Sequence, residues 1–182
     1  MCRINEQRLQ DEFINNNPRA EYGINAAVQH NKLYARTTTN FQREEIRNYW
    51  RHTLDVICAK YVDAQDFDAF LADIRYLRNQ MNAEYGHLFC ETGFRFSHAQ
   101  KSLSIHLKNE WCHNRIPLPP FCPIDRTILN LLGQPWNVVP WTRMEEEDYV
   151  PVVGEVFRRS ELTGLSAAQW ELVLFTGNNI EE

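Results

Sequence analysis

Lys101 and Asp125 have the residue types and settings for chemistry on a substrate. Lys101 stands in Phe96-Ser97-His98-Ala99-Gln100-Lys101-Ser102-Leu103, at the expected start of an apolar helix. Asp125 comes 24 residues later, after the run Ile116-Pro117-Leu118-Pro119-Pro120-Phe121-Cys122-Pro123. An amine in the first turn of a helix feels the positive end of the macrodipole, and with partial burial this favours the neutral, nucleophilic form. A carboxylate at a helix N-cap accepts backbone N–H bonds, which favour its ionised form. Together the two suit a reaction that needs a fixed anion beside a developing cation. Each also has a plainer reading, Asp125 as an ordinary cap and Lys101 as a solvated surface lysine.

The charge around them is uneven. The whole chain carries −5, but from Phe94 to Arg126 five cations (Arg95, Lys101, Lys108, Arg115, Arg126) face two anions (Glu110, Asp125), so this stretch carries +3 and the remainder −8. His98, His106 and His113 lie in it as well. A local basic face on an acidic protein can engage a polyanion, because phosphate contacts follow local potential.

The elements that must position these residues read as helices. Residues 4–14 form a short helix ended by Asn15-Asn16-Asn17-Pro18, and 18–40 are weakly patterned. From Phe41, the residues Ile46, Trp50, Leu54, Ile57 and Tyr61 recur at helical steps, after candidate caps in Thr37-Thr38-Thr39-Asn40. A second long helix, capped by Asp63 or Asp66, carries Phe67, Phe70, Leu71, Ile74, Leu77, Met81 and Tyr85 and stops at Gly86. The third runs from Ala99 to Cys112 on Leu103, Leu107 and Trp111, with Lys101 and Lys108 facing away from that stripe. The prolines make 116–123 an extended, stiff strap, and Asp125 caps a short helix through Ile128, Leu129 and Leu132 to Gly133. Two capping boxes, Thr142-x-x-Glu145 and Ser166-x-x-Gln169, open the last helices, and Pro151 and Gly154 should break or delay the first. Strand signals are confined to Val138-Val139. The fold class is all-α, one compact multi-helix domain over 1–182 with two long amphipathic helices in 41–90.

Composition excludes several classes. With 43% hydrophobic residues there is material for a core, and no run is long and apolar enough to be a signal peptide or membrane span. A cytoplasmic location is expected, with Cys2, Cys58, Cys90, Cys112 and Cys122 as reduced, scattered thiols. No nucleotide fingerprint, P-loop or nucleophile elbow occurs, and no cofactor is implied.

The segment Cys122-Pro123-Ile124-Asp125-Arg126-Thr127-Ile128-Leu129 resembles the stretch of the helix-hairpin-helix DNA glycosylases, the endonuclease III-like superfamily, that carries the catalytic aspartate at a helix start. Lys101-Ser102-Leu103-Ser104-Ile105-His106-Leu107 is similar to the hairpin helix whose leading lysine is the Schiff-base nucleophile of the bifunctional members. Ala168-Gln169-Trp170-Glu171-Leu172-Val173-Leu174-Phe175-Thr176-Gly177 resembles a late family helix, so the likeness spans about 94–180. It implies a glycosylase-like helical bundle that acts on DNA, with Asp125 as the catalytic carboxylate and Lys101 as its conditional partner. Where the family has a glycine-rich hairpin, the chain has Gly93-Phe94-Arg95-Phe96-Ser97-His98, so Arg95, Ser97 and His98 are expected to meet phosphate by side chain, together with Lys108 and Arg126. A flipped base would stack on Trp111, Phe121 or Trp136. Two other readings compete. His87-x-x-Cys90, Cys112-His113 and Cys122 could gather around zinc, although their spacing matches no compact finger. A non-catalytic helical adaptor could instead use Glu145-Glu146-Glu147-Asp148 and the Glu181-Glu182 end to dock a basic partner.

Overall fold

A computed structural model describes residues 4–17 and 22–177; Cys2, Pro18 and Glu181-Glu182 lie outside them. The described chain is all-α, with helices α1 (Glu6–Asn16), α2 (Tyr22–Val28), α3 (Asn40–Cys58), α4 (Phe67–Tyr85), α5 (Phe96–Cys112), α6 (Arg126–Leu132), α7 (Glu146–Thr163) and α8 (Ala167–Phe175). No described helix is long and apolar enough to cross a membrane. Extended pairing is limited to one isolated antiparallel bridge, Tyr34 with Phe89.

Local signals set most helix starts. Thr39 and Gln42 form a reciprocal capping box at α3: the Gln42 amide donates to Thr39 Oγ1 (3.3 Å) and the Thr39 amide to Gln42 Oε1 (2.9 Å). Asp66 caps α4 by accepting from the Ala69 amide at 2.8 Å. The inward faces of both helices are the ones their periodicity predicts, Ile46, Trp50, Leu54 and Ile57 on α3 and Phe70, Ile74, Leu77 and Met81 on α4. α8 begins at the Ser166/Gln169 box as expected.

The remaining helices depart from the pattern at identifiable places. α2 occupies part of the weakly patterned segment and packs on α5, where Gly23 allows the approach: a Cβ there would meet the Ser102 carbonyl oxygen at 2.9 Å. The Thr142 box does not form. Thr142 sits in a single turn (Trp141–Arg143), its carbonyl taken by Arg95 and Ser97, and α7 starts at Glu146 with Asp148 Oδ2 accepting the Glu145 amide. Pro151 does not break α7, which runs on through Gly154 to Thr163. The carbonyl that Pro151 leaves unpaired belongs to Glu147, an exposed residue that water can reach. Val138 closes a short 3-10 turn, so the strand signal there is not realised.

α5 is the axis of the molecule. It begins at Phe96, three residues before the expected start, with the Arg95 amide donating to His98 Nδ1 (3.0 Å) in place of a Ser, Thr or Asp cap. Fourteen of its seventeen residues are buried, because α1, α2, α3 and α4 pack against it and the Lys108 side chain reaches α8. Only His106, Asn109 and Glu110 keep partial exposure, and Lys101 and Lys108 point into the protein, contrary to their expected placement on its outer side.

Candidate functional site

The strap and the start of α6 are fixed to α5 by one side chain. Gln100 is fully buried, donates through Nε2 to the Ile124 carbonyl (2.8 Å) and accepts the Ile124 amide on Oε1 (3.3 Å). A primary amide bonded to both polar groups of one residue acts as a short piece of sheet ladder, and it satisfies backbone that prolines and burial leave without a partner. Asp125, the next residue, caps α6: its Oδ1 accepts from the Thr127 (2.9 Å) and Ile128 (3.2 Å) amides. Its Oδ2 faces Lys101 Nζ at 3.4 Å. The pair is made by neighbours on α5, with Gln100 setting the strap and Lys101 meeting the carboxylate that the strap delivers.

Lys101 lies in the second turn of α5 rather than the first, since the helix begins earlier than expected. Its Nζ also lies 4.3 Å from the ring centroid of the half-buried Trp141, so both neighbours, carboxylate and indole face, attract a cation. The side chains are 8% (Lys101) and 32% (Asp125) exposed, so solvent reaches the pair from the carboxylate side. At 3.4 Å the contact is longer than a full charge-assisted hydrogen bond of roughly 2.8 Å, which leaves the ammonium under-coordinated.

Of the residues expected to meet DNA, three are inside. Ser97 and His98 are fully buried, Ser97 Oγ donating to the Thr142 carbonyl (3.0 Å) and accepting from Asn31 Nδ2 (3.3 Å). Burial lowers the His98 pKa to about 4, so the ring is neutral; Nδ1 accepts the Arg95 amide, which leaves the proton on Nε2, buried without a hydrogen-bond partner. Lys108 is locked to Glu171 of α8 at 2.6 Å, both side chains almost fully covered, with Phe13 and Phe175 over its Nζ at 4.5 and 4.1 Å. Burial pushes the Glu171 carboxyl up while Lys108 opposes that shift. These three cannot touch a phosphate in this fold, because its packing covers them.

Arg126 is exposed and donates to the Asn137 (2.6 Å) and Val139 (3.2 Å) carbonyls, which ties the 136–139 turn to the start of α6. Arg95 is half-buried and lines an open groove with Lys32, Arg36 and Thr92. The aromatic assignments divide in the same way. Trp111 and Phe121 are core residues, Phe121 packed between Phe67, Tyr149 and Phe157, so neither offers a face to a ligand. Trp136 is half-buried against the core, and the aromatic that meets the pair is Trp141.

Among the described residues no three His, Cys, Asp or Glu side chains gather as metal ligands, so His87, Cys90, Cys112, His113 and Cys122 do not converge on a zinc site. The thiols of Cys58 and Cys112 are pushed up to about 11 and about 12 by burial, and that of Cys122 also rises. None of these three is a thiolate nucleophile. The acidic run at the start of α7 is engaged within the molecule: Glu145 pairs with Arg78 at 3.2 Å, Glu146 with Arg75, and Asp148 caps the helix.

Sequence reasoning missed Gln100, Trp141 and Glu171. One signal was available for the burial behind them: between Phe96 and Leu107 the only Asp, Glu, Lys or Arg is Lys101, too few for a helix with a solvated face. Comparison of the chain with protein-family models, with curated proteins and with solved structures finds no match.

Proposed function

We propose that the protein is a DNA glycosylase in which Asp125 is the catalytic carboxylate and Lys101 its partner. The observation that carries this reading is the 3.4 Å approach of Lys101 Nζ to Asp125 Oδ2, from two elements that meet only through the fold. It is the juxtaposition that the resemblance to the helix-hairpin-helix glycosylases requires. The free side of Asp125 opens to solvent, where an extrahelical nucleotide would enter between the start of α6 and the 136–143 turn. Trp141 covers the ammonium, so entry of substrate displaces its ring.

The C1′–N bond breaks with its electron pair leaving on the base, and the sugar gains oxocarbenium character that the carboxylate stabilises. Water then adds at C1′ and its proton passes to the departed base. Alternatively the Lys101 amine, after passing a proton to Asp125, adds there and opens the ring to a Schiff base. The test is incubation with duplexes carrying damaged or modified bases, abasic sites and modified cytosines included, with borohydride present. Base release abolished by Asp125→Asn is the expected result, and a trapped adduct lost in Lys101→Met identifies the amine route. No release and no adduct across such a panel overturns the reading.

One observation favours a second reading, a non-catalytic helical adaptor or binding module. Lys101 is almost wholly covered and Asp125 already caps α6, which is also what a structural pair would look like. In that case Asp125→Asn leaves function intact.

A further inference from the structure

Beside the pair lies a second feature, a groove of about 510 Å³ between the segment 32–36 and the turn leading into α5. Its walls are held by backbone. The Ala35 amide donates to the Leu88 carbonyl (3.0 Å) and the Cys90 amide to the Leu33 carbonyl (2.8 Å), and Thr38 Oγ1 adds a bond to Leu88 (2.6 Å). Three cations line the groove, Lys32, Arg36 and Arg95, against one carboxylate, Glu91. Among the described residues none of the three cations is in an ion pair.

Arg95 is the distinctive member. Its guanidinium is held by neutral acceptors alone: Nη1 donates to Asn31 Oδ1 (3.0 Å) and the Thr142 carbonyl (3.0 Å), and Nη2 to Thr92 Oγ1 (2.8 Å). That spends both Nη1 hydrogens and one on Nη2. The Nε–H and one Nη2 hydrogen have no partner among the described residues, and adjacent guanidinium N–H groups of this kind are donors for a tetrahedral oxyanion. A rigid, half-buried arginine with its charge uncompensated and two donors free is prepared for an anion, at no cost of ordering. Lys32 and Arg36 supply the surrounding potential from exposed positions. Thr142, which accepts from Arg95, is the neighbour of Trp141, whose ring covers Lys101, so one short turn connects Arg95 of the groove to the pair.

We propose that the groove binds a phosphate group of a nucleic-acid backbone, Arg95 taking it with its free donors and Lys32 and Arg36 neutralising it. The phosphate chemistry stands on the groove alone; nucleic acid as its source rests on the proposed reading of the Lys101–Asp125 pair. The test uses the full chain, a fluorescently labelled DNA duplex and inorganic phosphate. In the double variant Lys32→Glu/Arg36→Glu, whose side chains are exposed and whose unfolding midpoint serves as a folding check, duplex affinity falls by about tenfold or more. The slope of log affinity against log salt flattens by about two. Arg115→Glu, at the far end of α5, changes affinity several-fold less. Titration of the unlabelled duplex moves the Arg95 Nε–H resonance. Equal affinity in the double variant, or a loss no larger than that of Arg115→Glu, overturns the proposal. Movement of that resonance by inorganic phosphate but not by duplex also overturns it, assigning the groove to a small phosphoryl ligand. Base release is read separately. Groove-dependent duplex binding without base release sinks the catalytic reading and keeps the groove. Release that the double variant leaves untouched does the reverse.

Discussion

Lys101 and Lys108 lie two turns apart on α5, both buried and both paired with a carboxylate, yet the pairs are built differently. Lys108 meets Glu171 at 2.6 Å with the side chains 4% and 6% exposed and two phenylalanine rings over the nitrogen. Lys101 meets Asp125 at 3.4 Å, and the carboxylate is 32% exposed. The first pair is closed on every side and links α5 to α8. The second is long and open on one side, with its carboxylate at a helix start. A closed pair is costly to break because each charge then lacks both partner and water, whereas an open, under-coordinated one can still exchange a partner. On the proposed reading, chemistry belongs at Lys101, while Lys108 is architectural.

The largest effect should come from breaking the closed pair. Lys108→Ala leaves Glu171 without its counter-charge in a fully covered site and should cost about 3 to 5 kcal/mol in denaturant unfolding. The double variant Lys108→Met/Glu171→Leu should recover most of that loss, because the aromatic walls around Lys108 accept an apolar chain of similar length. If Lys108→Ala is as mild as a surface substitution, the distinction between the two pairs fails.

Acid should sharpen the same contrast. His98 is held neutral by burial, with its pKa lowered to about 4 from 6.5. The unfolded chain therefore takes up a proton first, and the stability His98 contributes is complete above pH 6.5 and lost as pH falls toward 4. The shift corresponds to roughly 3 kcal/mol. Glu171 acts with the opposite sign. Its carboxyl is raised, so the folded state gains protons before the unfolded chain does, and the closed pair partly offsets the loss in acid. Unfolding free energies across this range should therefore fall more gently in His98→Gln than in the parent chain. An unchanged slope would show that the acid response arises elsewhere.

What could be read from the sequence was what depends on neighbours along the chain. The proline strap, the Asp125 cap, the Thr39 and Ser166 boxes and the stripes of α3 and α4 are all set within a few residues. The scarcity of charge between Phe96 and Leu107 signals a buried helix. The partners of its lysines were not legible, since Glu171 lies 63 residues from Lys108 and Trp141 is likewise remote from Lys101 along the chain. The Thr142 box is outcompeted by Arg95 and Ser97, which reach its carbonyl from 47 and 45 residues away. α2 escaped notice because its contribution is a close approach at Gly23 rather than an apolar stripe. Of the candidate site, the capping role of Asp125 was accessible, while Gln100, which holds it in place, carried no local signal.

Gln100 gives the next smaller effect. Gln100→Leu leaves the Ile124 amide and carbonyl buried without partners, and should cost about 2 kcal/mol. It should also loosen the strap so that the Lys101–Asp125 contact opens, while the Lys108–Glu171 contact holds. Hydrogen exchange at the Ile124 and Thr127 amides reads this directly: faster exchange there, with α8 unchanged, is the expected pattern. Uniform acceleration over both regions would mean that the strap is not a separate unit.

The smallest change in stability should accompany the largest proposed change in activity. Asn is as good an N-cap as Asp, so Asp125→Asn can keep the oxygen that accepts the Thr127 and Ile128 amides, and replaces only the charge facing Lys101. The stability cost should stay below about 1 kcal/mol, since the pair is long and open to solvent. If the pair is chemical, base release disappears while DNA affinity is retained. If it is structural, the same substitution leaves function untouched. A loss as large as that of Lys108→Ala would make the two pairs equivalent, both of them structural.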